Sequence, residues 1–319
     1  MGGEMADGEA VRVWRKAIPE GRDRVQSRVL VAVVGALVAV MTLSALVLAY
    51  SRADRFPAFS FAVIGVSIAF ATGTWLLKAA TPAAAAFGGM ICLLLTFWTA
   101  RFEESVGRTA LTPLALLFTL TFLSTRAGRR RKATAGLAEK RRGRSASQVI
   151  ANLSVAALCV TPLTYVAVER LMSECCVSGI ANEWINWTMK VMCLAALVEA
   201  TADTVSSEIG QAFGGTPVMI LNWRRVEPGT DGAVTLIGSA AGIVAGAMVA
   251  AVGTWPLRLS ISQAAVALGA GICGLFFDSL LGATLERRGW LGNDLVNFAS
   301  TVFAVGVAAL GYRLFAFGW

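Results

Sequence analysis

Along this chain, long apolar runs alternate with short polar stretches. Runs matching the roughly 30 Å hydrocarbon core, which takes about 20 helical residues, occupy 29–50, 59–78, 83–99, 110–124, 148–168, 184–202, 233–255, 260–283 and 297–317. The fourth is short. The pattern predicts an all-α fold: a polytopic membrane helix bundle of about eight to nine spans. The first run is read as a span and not a cleaved leader, because its apolar length exceeds the usual signal-peptide core and a long charged segment precedes it. Composition agrees, since 56% of the 319 residues are hydrophobic and 15% charged, more apolar surface than a soluble domain of this size can bury. The expected organisation is a basic tail over 1–28, an additional N-terminal span over 29–50, and a membrane domain over 59–317.

Loop charge orients the bundle. With the N-terminus in the cytoplasm, twenty of the 28 Lys and Arg residues lie on the inner side and seven on the outer, leaving Lys190 within the sixth span. The expected location is the inner (plasma) membrane, multi-pass, with polar segments 199–210, 203–232 and the end of the eighth run facing the cytosol. Much of the +8 formal charge sits in the tail and in "TRAGRRRKATAGLAEKRRGR", 125–144. The reading given to that stretch is a solvated, positive-inside loop on anionic headgroups. Nucleic-acid binding is not expected, because no aromatic residue interleaves the basic run. In "GRSASQVIAN", 143–152, Gln148 and Asn152 share a helical face, either as helix-packing contacts or at the edge of a site.

The chain contains no histidine and no CxxC, which excludes His-based triads and zinc sites of the usual kind. Cys92, Cys159, Cys193 and Cys273 fall in runs and are expected to pack as small apolar residues. Chemistry is left to carboxylates, Lys and Arg, hydroxyls and a hard metal.

Those groups cluster in three places. "EATADTVSSEIG", 199–210, sets Glu199 and Asp203 at i,i+4 with Ser206 one turn on. Glu208 lies about 140° round from Asp203 on a continuous helix and joins that face only if the helix breaks. Acids are electrostatically misplaced at a helix C-terminus unless something positive joins them. A metal ion fits, since Mg²⁺ takes one or two carboxylates with water and phosphate oxygens. On spacing alone, two or three carboxylates of this segment, Glu199 and Asp203 first, are the candidates for such an ion. "NWRRVEPGTDGAV", 222–234, follows: Arg224 and Arg225 suit phosphate oxygens, and Gly229, Thr230, Asp231 and Gly232 form a turn whose backbone N–H groups can face an anion. The third cluster, 269–298, sets Asp278, Gly282 and Glu286 on one face. An aspartate in such an apolar stretch is expensive unless paired or metal-bound. Gly269, Gly271 and Gly274 allow close helix approach, and Asn293 and Asn297 add polar reach. Lys190 is expected to reach a polar neighbour on another span.

"EATADTVSSEIG", "PGTDGAVTLIGSAAG" and "FDSLLGATLERRGWLGNDLVNF", with "GRSASQVIAN", resemble in order the integral-membrane phytyl-phosphate kinases and the transmembrane protein 19 group (domain of unknown function 92), over about residues 60–317. The resemblance implies phosphorylation of an isoprenoid monophosphate to its diphosphate by a nucleoside triphosphate, CTP, with Mg²⁺. It makes Asp203, Glu208 and Asp278 the metal- and phosphate-handling residues, and with Glu199 the predicted metal set is Glu199, Asp203, Glu208 and Asp278. It gives Glu286 no catalytic role, because family members more often carry Gln at that position. The chemistry is consistent: a monophosphate is largely ionised at neutral pH, so it needs no base, and catalysis becomes alignment and charge neutralisation. Two other classes stay open, a cytidylyltransferase making a CDP-lipid and a transporter without nucleotide chemistry. Transporter sites sit near the midplane between repeats, whereas these clusters gather at one membrane face.

Overall fold

The computed structural model describes residues 18–101, 105–134, 143–172 and 181–317. Eleven helices run through them: α1 Glu20–Ser51, α2 Pro57–Leu76, α3 Pro82–Thr99, α4 Leu111–Arg126, α5 Arg129–Thr134, α6 Ala146–Cys159, α7 Pro162–Met172, α8 Ala181–Phe213, α9 Leu236–Leu257, α10 Ile261–Leu281 and α11 Asn293–Phe317. A π-helical turn, Gly282–Glu286, extends α10. A two-residue antiparallel pair, β1 Val218–Met219 with β2 Ala233–Val234, folds the loop between α8 and α9.

Each apolar run is helical, but the runs are not equal as spans. Six helices (α1, α2, α3, α9, α10 continued through Glu286, and α11) are long and apolar enough to cross a membrane, or seven if a bent pair counts as one. The expectation of eight to nine is higher for three physical reasons. The run at 110–124 forms only the 16-residue α4. The run at 148–168 is broken into α6 and α7, which meet at 63°. Pro162 lacks an N–H and disfavours helical backbone at Thr161, so the helix ends there and restarts. Helix α8 is long at 33 residues, but Lys190, Glu199 and Asp203 interrupt its apolar stretch.

Helix α8 is the core of the bundle. It packs against α4, α6, α7, α9, α10 and α11, and every residue from Val191 to Ala202 is buried. Small residues let neighbours close on it, as they do in membrane helix pairs. A methyl group on Gly242 of α9 would lie 2.4 Å from the Ala202 carbonyl oxygen, and one on Gly238 2.5 Å from that of Ser206. Ser206 therefore faces α9, off the acidic cluster. On α10, Gly271 meets Val198 and Gly274 meets Glu199, whereas Gly269 has no neighbour that close. The outer helices turn residues such as Val33, Leu43, Phe61 and Ile68 outward, the exposure expected of a lipid-facing surface.

The first helix packs on the bundle, against α3, α6 and α11. It begins at Glu20, inside the stretch expected to be a tail, and its first turns grip the turn before α11. Arg22 Nη1 donates to the Gly289 carbonyl (2.9 Å) and Gln26 Nε2 to that of Trp290 (2.7 Å), the Gly292 N–H donates to Gln26 Oε1 (2.8 Å), and Ser27 Oγ donates to Asp294 (2.6 Å). The helix ends gathered with this turn include the α2–α3 turn, α5, the start of α6, the α8–α9 loop and the π-turn; this is the basic end of the bundle. Of the cysteines, Cys92, Cys159 and Cys193 are buried and Cys273 is exposed. Cys175 and Cys176 lie outside the described residues. Lys190 Nζ sits over the ring of Trp187, one turn earlier on its own helix (4.6 Å), a contact that replaces the expected polar neighbour on another span.

Candidate active site

The acids converge where α8, α10 and α11 meet. Glu199 is 1% exposed, and both carboxylate oxygens are occupied: Ser300 Oγ donates to Oε1 (2.7 Å) and Thr301 Oγ1 to Oε2 (2.6 Å). Charge-assisted bonds of this kind are short and strong. Ser300 Oγ is also 3.3 Å from Asp278 Oδ1, so one hydroxyl links carboxylates on two helices. Asp203 and Glu286 lie within electrostatic reach of Asp278, as does Glu199. Glu286 sits on the π-turn and is buried. Gly274 makes the arrangement possible, because a methyl group there would stand 2.6 Å from Glu199 Cγ.

Glu208 is not part of this cluster. Helix α8 continues unbroken to Phe213, so Glu208 stays on the face that carries Ala200 and Thr204 at i,i+4 spacing. It forms an ion pair with Lys132 of α5 and accepts from Thr125 Oγ1 (3.3 Å). Lys132 is 2% exposed and also donates to the carbonyls of Thr125 (2.9 Å) and Ser124 (3.3 Å). The predicted four-carboxylate metal set is thus split. Among the described residues no group of three or more acids is close enough to form a metal site by itself. With Glu199 engaged by two hydroxyls and Glu208 paired with Lys132, Asp203 and Asp278 are the members of the predicted set left for a cation, with Glu286 close to Asp278. That donor set fits Mg²⁺, which commonly uses one or two carboxylates and takes its other oxygens from water and phosphate.

The glycine-rich turn joins the cluster through backbone packing. Gly232, at φ 74°, lies so close to the π-turn that a methyl group would sit 2.2 Å from the Ala283 nitrogen, and one on Gly282 2.8 Å from the Gly232 nitrogen. Asp231 and Gly232 are therefore held directly over the helix that carries Asp278. Thr230 is turned inward to its own loop, its N–H and hydroxyl both bonding the Glu227 carbonyl (3.2 and 2.7 Å), which takes that N–H out of any anion nest. Gly229 sits in the same turn at φ 89°. Arg224 and Arg225 are exposed on this loop; the Arg224 carbonyl accepts from Met219 N–H (2.9 Å), fixing the backbone and leaving both guanidinium groups at the basic end. Asn293 is exposed at the start of α11. Asn297 Nδ2 donates to Asn152 Oδ1 (3.2 Å), and the Asn297 carbonyl lies 2.9 and 2.8 Å from the Ser300 and Thr301 hydroxyls, as the alternative acceptor to Glu199.

Asn152 leads to a feature the sequence concealed. A cavity of about 720 Å³ opens on the other side of α8, between α2, α3, α4, α5 and α6, reaching α8 at Ala200 and Thr204. Its deep part is apolar, with Phe70, Gly88, Leu114, Leu117 and Leu153; its mouth carries Lys78, Arg126, Arg129, Lys132 and Arg144. Among the described residues, no carboxylate lines it. Gln148 and Asn152 both line it, and both also serve packing: Gln148 completes a capping box with Ser145, and Asn152 Nδ2 bonds the Gln148 carbonyl (2.8 Å). The two readings of that pair are therefore both realised. Arg144 is in electrostatic reach of Asp203, so the mouth and the acids border one another across α8.

Comparison with known proteins gives relatives in three lineages. The chain is 28% identical to Protein VTE6, chloroplastic, of Arabidopsis thaliana, over 82% of this chain and 74% of that one. It is 30% identical to Uncharacterized membrane protein sll0875 of a Synechocystis species, over 58% and 68% of the two chains. It is 35% identical to Uncharacterized membrane protein MJ0933 of Methanocaldococcus jannaschii, over 40% of this chain and only about half, 52%, of the archaeal protein. No solved structure matches significantly. The family model described as Integral membrane protein DUF92 matches residues 65–305, from within α2 to within α11, and so takes in the acids, the glycine-rich turn and the cavity. The chain belongs to the DUF92 family of integral membrane proteins.

Proposed function

We propose that the protein is a membrane lipid-phosphate kinase that transfers the terminal phosphoryl group of a nucleoside triphosphate, CTP, to an isoprenoid monophosphate. The site faces the cytoplasm, at the inner (plasma) membrane. The observation carrying this reading is that one end of the bundle holds both a buried carboxylate cluster and, across a single helix, a cavity with an apolar interior and a cationic mouth. A kinase acting on a lipid phosphate needs both halves. The likeness to phytyl-phosphate kinases in the four motifs supports the same chemistry.

In the reaction, an oxygen of the lipid monophosphate forms a bond to the terminal phosphorus while the bond from that phosphorus to its bridging oxygen breaks, releasing the nucleoside diphosphate. The acceptor is already anionic, so no general base is required. The chain holds and neutralises. Ser300 and Thr301 pin Glu199, which sets the spacing of α8 against α10 and α11. Asp203 and Asp278 would hold Mg²⁺, which when bound supplies neutralisation of charge spread over the phosphoryl oxygens. Arg224 and Arg225 serve the nucleotide phosphates from the loop, and Asn297 ties the acid side to the cavity side through Asn152.

Incubation of the purified protein with an isoprenyl monophosphate, Mg²⁺ and CTP tests the reading. Equimolar CDP and isoprenyl diphosphate are expected. Pyrophosphate and a CDP-lipid would establish the cytidylyltransferase instead, and absence of nucleotide turnover across several chain lengths would leave transport.

A further inference from the structure

We propose that the cavity between α2, α3, α4, α5, α6 and α8 is a binding site for a single-chain lipid monophosphate. The chain lies along α4, and the phosphate is held by Lys78, Arg126, Arg129 and Arg144. The proposal rests on the kinase reading only for what happens to that phosphate; binding is measurable separately.

Three observations carry it. The first is the gradient of chemistry along one axis. On α4, Leu114, Leu117, Phe118, Thr121, Phe122, Thr125 and Arg126 line the cavity; over about 18 Å at the helical rise the lining starts wholly apolar, gains hydroxyls at Thr121 and Thr125, and ends at a cation, with Phe122 the aromatic surface under Arg126. Neighbouring elements follow the same order, with Phe70 and Gly88 deep and Lys78 and Arg144 at the mouth. Such a gradient matches a molecule with one apolar and one anionic end, and the volume is within the range of ligand pockets.

The second observation is unbalanced charge. Among the described residues, five cations line the mouth and no carboxylate does. One of the five, Lys132, is spent on Glu208, which leaves four. Among the described residues none of these four is in an ion pair. Arg126 is oriented without an acid, its guanidinium 3.5 Å from the Phe122 ring centroid and donating to the Leu77 carbonyl (3.2 Å). Guanidinium groups gathered in this way suit phosphate, which they can grip with paired N–H donors.

The third is position. The Lys132–Glu208 ion pair fastens the α4–α5 corner to α8, fixing the mouth beside Thr204, the residue after Asp203. Arg144 lines the mouth and also lies in the field of Asp203. A phosphate held there abuts the acidic side of α8, where a second phosphate-bearing substrate would be presented. The backbone helps to shape this rim: Gly143, at φ 73°, brings Arg144 against the α2–α3 turn, where the Arg144 N–H bonds the Ala79 carbonyl (2.9 Å) and its own carbonyl accepts from Thr81 (3.0 Å).

The test measures binding to the full chain in detergent without nucleotide, using geranylgeranyl monophosphate, geranylgeraniol, inorganic phosphate and a two-chain phosphatidic acid as probes. The monophosphate is expected to bind at least about tenfold more tightly than the alcohol, the equivalent of one charge-assisted hydrogen bond. Inorganic phosphate and phosphatidic acid are expected to compete poorly. The pair Arg126→Ala and Arg144→Ala should weaken the monophosphate by about tenfold or more and leave the alcohol unchanged. Gly88→Leu grows into the cavity, because a methyl group there meets only Phe70 at an ordinary 3.6 Å, and it should weaken geranylgeranyl more than geranyl monophosphate. That variant keeps the proposal testable if the double arginine variant does not fold. Unchanged affinity in both variants, or equal binding of phosphatidic acid, overturns the site. Monophosphate binding that obeys these rules without CTP turnover overturns the kinase reading alone. Turnover whose lipid KM is indifferent to the variants overturns the cavity alone.

Discussion

The pairing of Glu208 with Lys132 allows a structural role for that carboxylate to be tested against a catalytic one. Lys132 is 2% exposed and Glu208 17% by side chain. Removing one member of a buried pair typically costs about 3–5 kcal/mol, because the other is left as an uncompensated charge. Lys132→Met leaves Glu208 with only the Thr125 hydroxyl. Water still reaches that carboxylate, which points to the lower end, about 3 kcal/mol. Glu208→Gln leaves the ammonium with the carbonyls of Ser124 and Thr125 and a new amide oxygen, so about 2 kcal/mol is expected. The double variant carries neither charge, so its destabilisation should fall well below the sum of the two, with a coupling of about 2–3 kcal/mol. The assay is reversible denaturation or thermal unfolding in a fixed detergent, run as a four-member cycle, with CTP turnover measured on each protein. A coupling under about 0.5 kcal/mol would refute the ion pair as a structural element. Retained stability in Glu208→Gln with turnover abolished in both Gln-containing variants would return Glu208 to the chemistry.

Asp203→Asn and Asp278→Asn should each abolish turnover while the protein stays folded in detergent, since these are the members of the predicted metal set engaged neither by two hydroxyls nor by an ion pair; near-normal turnover in either removes that residue from the cation site. Gly274→Ala should cost about 1–3 kcal/mol, because its methyl group would sit 2.6 Å from Glu199 Cγ and 2.8 Å from Ala304 Cβ; an unchanged thermal midpoint would mean α10 can retreat without disturbing the cluster.

Much of the acidic side was legible before any coordinates. The i,i+4 spacing of Glu199 and Asp203 places them together on any helix, and the same geometry warned that Glu208 would leave that face unless α8 broke. It does not break. The close approach of α10 was readable at Gly271 and Gly274 but not at Gly269, because a small residue permits contact without saying which side of the helix meets a neighbour. The run at 148–168, expected as one span, bends by 63° at Pro162, where the helix ends and restarts. Arg224 and Arg225 are where the loop motif suggested, exposed beside the turn that packs on α10.

The sequence alone determined what local periodicity and composition can determine: an all-helical membrane protein, the helical positions of nearly every run, and acids sharing a face. Only the tertiary structure decided what those faces meet. Hydrogen bonds from Ser300 and Thr301 to Glu199 join residues about a hundred positions apart, and no spacing rule reaches that far. The cavity is assembled from six helices, each contributing a few residues that look ordinary in their own run. Its rim of Lys78, Arg126, Arg129 and Arg144 read as a positive-inside loop, because charge content is the same whether arginines point into water or around a pocket. That difference is one of direction, and side-chain direction is fixed by how helices pack.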